Sequence, residues 1–182
     1  MTADEELAWE TRSREVAYSC PGFDVVREDV VLPDGTRTDF DYLSEPPAVV
    51  VLPFTDDGEV VVIEEWRQAV GRVNRGLPAG GTEPEDATDL AAAARRELRE
   101  ETGYEADSLE PLTTVEPANG YADSVHHHFV ARGCTPTAEQ DLDHDESIRV
   151  DTAAFDDLVA AAAAGDLRDA RTVVGVLTYH VS

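Results

Sequence analysis

Three glutamates, Glu97, Glu100 and Glu101, stand three and four residues apart in the stretch Arg95-Arg96-Glu97-Leu98-Arg99-Glu100-Glu101-Thr102-Gly103-Tyr104. On a helix those spacings put all three carboxylates on one face, with Leu98 turned inward beside them. Like charges so arranged repel, and the cost grows if the face is partly buried. A hard divalent cation such as Mg2+ or Mn2+ offsets that cost, because it prefers carboxylate oxygens and leaves positions for water and phosphate. A solvated face whose acids pair with Arg95, Arg96 and Arg99 fits the same pattern, so the helix by itself does not decide. The preceding loop does. Leu77-Pro78-Ala79-Gly80-Gly81 carries bare backbone toward the acidic helix, where a carbonyl can complete a metal shell.

Other residues with chemistry in them are scattered. Asp123, Glu146 and one of the helix glutamates are candidates for acid–base chemistry. Arg67 offers a fork of donors for a phosphate or a ribose, or an ion pair with Glu64 or Glu65. Trp66 can stack on a base, or fill a core or a subunit interface. His126-His127-His128 falls on a predicted strand, where neighbours point to opposite faces and cannot converge on one ion. Cys20 and Cys134 lack metal-ligand spacing and read as small buried thiols.

The elements that must position these groups follow from patterning. Residues 1–20 read as a polar lead-in with some helical character. Phe23 to Val31 and Thr36 to Leu43 alternate around the turn Leu32-Pro33-Asp34-Gly35, which predicts a β-hairpin. After Pro46-Pro47, the apolar runs Ala48–Phe54 and Val60–Glu65 read as a second, more deeply buried antiparallel pair. Gly71 to Asp89 is predicted as loop. The acidic helix runs from about Asp89 to Glu101, capped by Asp89 and stopped at Gly103, with Leu90, Ala94 and Leu98 as its core stripe. Leu109–Glu116, Val125–Ala131 and Ile148–Asp151 are strand candidates, with a Pro117–Ser124 loop between the first two. Phe155–Ala164 and Ala170–His180 close the chain as helices. Strands, helix, strands, helix imply an α/β domain with helices packed on a mixed sheet.

Composition excludes several classes of function. The 182 residues carry 39 acids against 14 basic residues, all of them arginine, for a net charge of −25. Such a surface repels phosphate backbones and anionic lipid, so neither nucleic acid nor membrane is an expected partner. Dense carboxylate without lysine points instead to adaptation to high salt. The acids are interleaved with periodic apolar residues rather than gathered in tails, which excludes a disordered acidic protein. No apolar run reaches membrane-span length and the N-terminal residues lack the pattern of a signal peptide, so a cytoplasmic location is expected.

Loop, helix and Gly103 together resemble the Nudix box, written as Gly, five residues, Glu, seven residues, then Arg-Glu-hydrophobic-any-Glu-Glu-any-Gly-hydrophobic. Arg96, Glu97, Leu98, Glu100, Glu101, Gly103 and Tyr104 match the second half at each specified position. In the first half, Gly80 is followed after five residues by Asp86 where the box has Glu. Nine residues, not seven, then separate Asp86 from Arg96, as a two-residue insertion near Pro84–Asp89 explains. The resemblance implies an α/β/α sandwich with a mixed sheet, extended at its N-terminus by the hairpin. It implies Mg2+ (or Mn2+) held by Glu97, Glu100 and Glu101, with Gly80 as a backbone ligand and Arg96 orienting a glutamate.

Glu65-Trp66-Arg67-Gln68 and Gly165-Asp166-Leu167-Arg168-Asp169-Ala170-Arg171-Thr172 resemble the ADP-ribose pyrophosphatase branch of that family, although Gly76 stands where the branch has Glu before Leu-Pro-Ala-Gly. The expected substrate is therefore a nucleoside diphosphate linked to another small moiety, ADP-ribose first among them. Other nucleotide sugars or dinucleotide cofactors are alternatives, as is a Nudix module that binds such a metabolite without cutting it. The expected organisation is an extension at 1–45 and a hydrolase domain at 46–182. An isolated hairpin needs another surface to cover its apolar face, and the branch pairs subunits through such a sheet, so a homodimer is expected.

Overall fold

The computed structural model describes residues 2, 6–83, 86, 89–144 and 146–182. They form two units, Met1–Pro46 with Ala118–Ser124, and Pro47–Pro117 with Val125–Ser182. Of the expected insertion near Pro84–Asp89, residues 84, 85, 87 and 88 lie outside the described residues.

The first unit is an antiparallel sheet of β1 (Glu10–Cys20), β2 (Phe23–Val31) and β3 (Arg37–Ser44), in that spatial order. The hairpin β2–β3 is as predicted, and its turn places Gly35 at φ 85°, where a side chain is strained. Within the polar lead-in, Glu6 and Leu7 are helical. Its second half is the eleven-residue strand β1, exposed along almost its whole length, and so lacking the alternation that marks a half-buried strand. Backbone pairing with β2 forms it despite that, through two register shifts, at Thr11/Ser13 and Val16/Tyr18.

In the second unit, β4 (Ala48–Pro53) and β5 (Glu59–Arg67) do not form the expected pair. A single bridge, Phe54 with Val60, joins their ends, and each strand goes to a different sheet. Both are buried apolar runs whose residues share two cores, Val50 and Leu52 with Val60 and Val62, and Val49 and Val51 with Val61. β5 lies between β6 (Arg72–Gly76) and β12 (Ile148–Ala154), antiparallel to both. β4 lies between β7 (Ala79–Gly81) and β10 (His126–Arg132), with β9 (Ser108–Val115) beyond β10. The β4–β10 pairing is parallel and its neighbours antiparallel, so this sheet is mixed. The segment read as loop therefore contains two short strands, β6 and β7, broken at Leu77-Pro78. A minor pair, β8 (Tyr104–Glu105) with β11 (Thr135–Pro136), was not foreseen.

Period-two alternation sends β4 into two cores. Val50 and Leu52 pack with Leu77, Leu158, Leu167 and Val176, beneath α2 (Phe155–Ala164) and α3 (Ala170–Val181). Val49 and Val51 pack with Ala93, Ala94 and Leu98 of α1 (Leu90–Thr102). Helices on both faces of the strands make the expected α/β/α sandwich. The consecutive histidines lie on β10, and only His128 is buried, its Nε2 3.0 Å from the Arg171 carbonyl.

Candidate active site

Helix α1 begins where Asp89 accepts the Ala92 N–H at 3.0 Å, and ends at Gly103, whose φ of 75° turns the chain out. Between those caps Glu97 and Glu101 sit one turn apart on the buried side, 8% and 2% exposed, while Glu100 is rotated toward solvent. They are buried because β7 crosses in front of them. The Ala79 N–H donates to Glu101 Oε2 at 2.9 Å. A Cβ on Gly80 would fall inside contact distance of the Glu97 carboxylate, so with Glu97 in this position only a bare α-carbon fits there.

Arg96 reaches across this face. Its Nη1 donates to Glu97 Oε1 at 2.7 Å and Glu100 Oε2 at 3.0 Å, and its Nη2 to Asp86 Oδ2 at 2.9 Å and the Gly81 carbonyl at 3.1 Å. Burial pulls the guanidinium pKa down, but the paired carboxylates more than reverse that and the net shift is upward. Arg95 and Arg99 take no part, donating instead to the Ala106 carbonyl and pairing with Glu105.

One guanidinium cannot neutralise this many acids. Desolvation raises the Glu97 pKa to about 7 against the opposing pull of Arg96, with Glu100 and Glu146 adding to the rise. Desolvation raises Glu101 to about 8, opposed by the Ala79 N–H and reinforced by Glu97, Glu146 and Glu65. The helix face opens into a polar cleft of about 190 Å³ bordered by Arg96, the three glutamates, Asp141 and Glu146. Among the described residues no three His, Cys, Asp or Glu side chains converge as a ready-made ion cage. The contacts show why: Glu97 and Glu100 are turned onto Arg96, and Glu101 onto Ala79. The donor set nonetheless fits a hard divalent cation. It consists of carboxylate oxygens, two of them buried with excess negative charge, beside a backbone that has given up its side chain to approach them.

The structure therefore brings together Glu97, Glu100, Glu101, Arg96, Gly80 and Glu146. The other sequence candidates are engaged in contacts of their own. Asp123 belongs to the first unit, where its carboxylate accepts the Ser44 hydroxyl at 2.7 Å and the Glu45 N–H at 3.1 Å. Arg67 pairs with Glu65 at 2.6 Å in a small recess that also contains Asn74, Asp169 and Arg171. Trp66 is 47% exposed, opposite Val73 across the β5–β6 pair, with its indole N–H on Gln68 at 2.8 Å.

Sequence reasoning missed the supports. Asp86 is buried and holds Arg96, and its own carboxylate accepts the Glu83 N–H at 2.9 Å. The segment after β11 covers the end of α1: Gln140 donates to the Glu101 carbonyl at 2.6 Å and the Asp141 N–H to the Glu100 carbonyl at 2.9 Å. No local pattern marks Gln140 or Asp141. Asp169 and Thr172 carry a readable signal, a capping Asp followed three residues later by Thr at a helix start.

A mixed sheet between helices thus carries a buried carboxylate helix facing a glycine strand. The family model for the NUDIX domain matches residues 44–173, and the chain belongs to the Nudix family of pyrophosphohydrolases. It is 31% identical over 173 residues to the ADP-ribose pyrophosphatase of Bacillus subtilis (strain 168), covering 94% of this chain and 92% of that protein. It is 27% identical to the ADP-ribose pyrophosphatase of Mycobacterium tuberculosis (strain ATCC 25618 / H37Rv), over 96% of this chain and 84% of that one. The methanol dehydrogenase activator of Bacillus methanolicus is 31% identical over 82% of this chain and 80% of its own length. A crystal structure described as an ADP compounds hydrolase superposes with a TM-score of 0.82 over 95% of this chain and 92% of that one; at 23% identity it establishes the fold.

Proposed function

We propose that this protein hydrolyses ADP-ribose to AMP and ribose 5-phosphate, with Glu97, Glu100 and Glu101 as ligands to Mg2+ or Mn2+. The observation that carries the reading is the pair of buried carboxylates, Glu97 and Glu101, closed over by the bare backbone of Gly80 at one polar cleft. The two ADP-ribose pyrophosphatases among its relatives support the choice of substrate. A cation held there supplies charge neutralisation for the diphosphate and lowers the pKa of the attacking water. Gly80 contributes its carbonyl to the same shell. Arg96, tied down by Asp86, fixes the orientation of Glu97 and Glu100. Glu146 borders the cleft and serves as general base, in preference to Asp123, whose oxygens are committed to Ser44 and Glu45. Arg67 and Trp66 contact the substrate outside the diphosphate, the first through hydrogen bonds and the second by stacking.

The first unit pairs two subunits. Its β1 is an edge strand that leaves Val16 and Tyr18 more than half exposed, an arrangement that another surface must cover. No helix among the described residues is long and apolar enough to cross a membrane. We place the protein in the cytoplasm of a cell with high internal salt, where its charge is screened.

The test is a hydrolysis screen over ADP-ribose, other nucleoside diphosphate sugars and dinucleotides, with Mg2+ or Mn2+ and with each glutamate varied. Glu100→Gln and Glu101→Gln are expected to stay folded and to lose about 100-fold or more in turnover, at the upper end of what disturbing a metal shell costs. Glu146→Gln should lose turnover and Asp123→Asn should not. Tight binding of one of these compounds with no turnover of any would replace the enzyme by a sensor.

A further inference from the structure

The strand link that closes the site is not held by the sheet alone. Leu77 is 1% exposed, and its N–H donates at 2.9 Å to the hydroxyl of Thr172, which is fully buried in the first turn of α3, ninety-five residues away in the chain. The hydroxyl in turn donates to Asp169 Oδ2 at 2.7 Å, and the same carboxylate oxygen accepts the Thr172 N–H at 3.1 Å. Asp169 is the cap of α3; burial works against its charge, but Arg171 and these donors outweigh that and hold its pKa below the ordinary value. A Cβ on Gly76 would stand 2.9 Å from the Thr172 hydroxyl, so the hydroxyl occupies the space a side chain there would need. Gly175, one turn further along α3, lets Leu77 Cδ1 in to 3.1 Å of where its own Cβ would be. The link is thus gripped at Gly76 and Leu77. Two residues later it delivers the Ala79 N–H to Glu101, and one residue after that the bare α-carbon of Gly80 to Glu97.

We propose that Thr172, seated by Asp169, is a positioning residue for the carboxylate pair: its hydroxyl fixes the Gly76–Gly80 link, and the link fixes where Glu97 and Glu101 lie. The inference rests on the reading of those glutamates as cation ligands. Thr172 touches neither the glutamates nor the cleft, and it acts through backbone. Its replacement by Val keeps shape and burial but removes the acceptor for Leu77, leaving that N–H unsatisfied, and takes one donor from Asp169, which keeps the residue-172 N–H and Arg171.

The experiment measures Mn2+ binding directly by titration calorimetry on the full chain, with kcat and KM for ADP-ribose and a thermal melt alongside. Thr172→Val is expected to fold and to weaken Mn2+ binding about 10-fold, within the range seen when a supporting partner of a ligand is lost. Its kcat should fall by a similar factor while KM changes little, and Thr172→Ser, which restores the hydroxyl, should recover most of both. Wild-type Mn2+ affinity in folded Thr172→Val overturns the proposal. If Thr172→Val does not fold, Asp169→Asn is measured in its place: it keeps a capping oxygen but loses the charge that seats the hydroxyl, and unchanged Mn2+ affinity there overturns the proposal equally. Glu101→Gln separates the two levels. If it abolishes Mn2+ binding while Thr172→Val leaves binding intact, only the positioning role fails; if Glu101→Gln binds Mn2+ normally, the ligand assignment itself fails.

Discussion

A carboxylate is costly to bury, and Glu97 and Glu101 show the cost in their titration. Both pKa values are raised, from an ordinary 4.5 to about 7 and about 8, because burial disfavours the charged form. Between the unfolded and folded values the native chain holds protons that the unfolded chain has released. Stability therefore falls as pH rises through that window, by at most roughly 1.4 kcal/mol for each proton and each step of one in pH. His128 has the opposite sign. It is buried, chiefly desolvation lowers its pKa, and the unfolded chain takes up the proton first as pH drops below the ordinary 6.5. The two effects separate as pH rises past 6.5, where His128 is already mostly neutral when folded and loses its remaining charge when unfolded. The melting temperature of cation-free protein should therefore decline between pH 6.5 and 8.5, and saturating Mg2+ should flatten the decline. In Glu101→Gln most of the slope should be gone without any cation, since the amide has no charge to desolvate. An unchanged slope in that variant would show that the titration belongs to another group.

At the scale of elements, the site is the meeting of one helix and one three-residue strand. The helix was legible because caps, apolar stripe and carboxylate spacing all lie within fifteen residues of chain and agree with one another. The strand was not. Ala79-Gly80-Gly81 has no alternation and follows a proline, so local pattern reads it as loop; it is a strand because β4 pairs with it, Val50 opposite Ala79 and Val49 opposite Gly80. The same reason hid the true partners of β4 and β5. Two buried apolar runs joined by a short turn look like a hairpin, and only the distant strands β10 and β12 separate them. β1 was missed for the opposite cause, an exposed strand with no apolar face to announce it. What the strand does for the helix can be tested at Gly80, whose φ is not in the left-handed region, so that only space is at issue. Gly80→Ala should keep the sheet register and the melting temperature within a few degrees, because Glu97 can swing out of the way, and should lose about 10-fold or more in cation affinity. Normal affinity would mean that β7 lies further from the bound cation than its contact with Glu97 implies.

For the whole molecule the controlling quantity is charge. With −25 on 182 residues, self-repulsion weakens the compact state in dilute buffer, and salt removes it as the Debye length falls from about 10 Å at 0.1 M to about 3 Å at 1 M. The first unit should respond most. Its sheet buries little beyond Val26 and Val30, and β2 sets Asp29 directly opposite Asp39 of β3, a like-charge pair that costs pairing energy unless it is screened. Of its ion pairs, Arg12 with Glu10 and Arg27 with Asp41 are exposed and contribute little at any ionic strength. The proposed association through β1 would add a second dependence, since two acidic surfaces would have to approach before Val16 and Tyr18 are covered. Light scattering should then give a dimer mass in molar KCl that falls toward the monomer in dilute buffer. Hydrogen exchange over the same range should show β1–β3 amides gaining protection with salt far more than β4 and β10, which sit in an apolar core that salt does not screen. The melting temperature should climb with KCl up to at least 1 M; a value that stays flat or falls, with exchange in the first unit unaltered, would mean that the acids are held apart well enough to need no screening, and the high-salt origin of this surface would have to be given up.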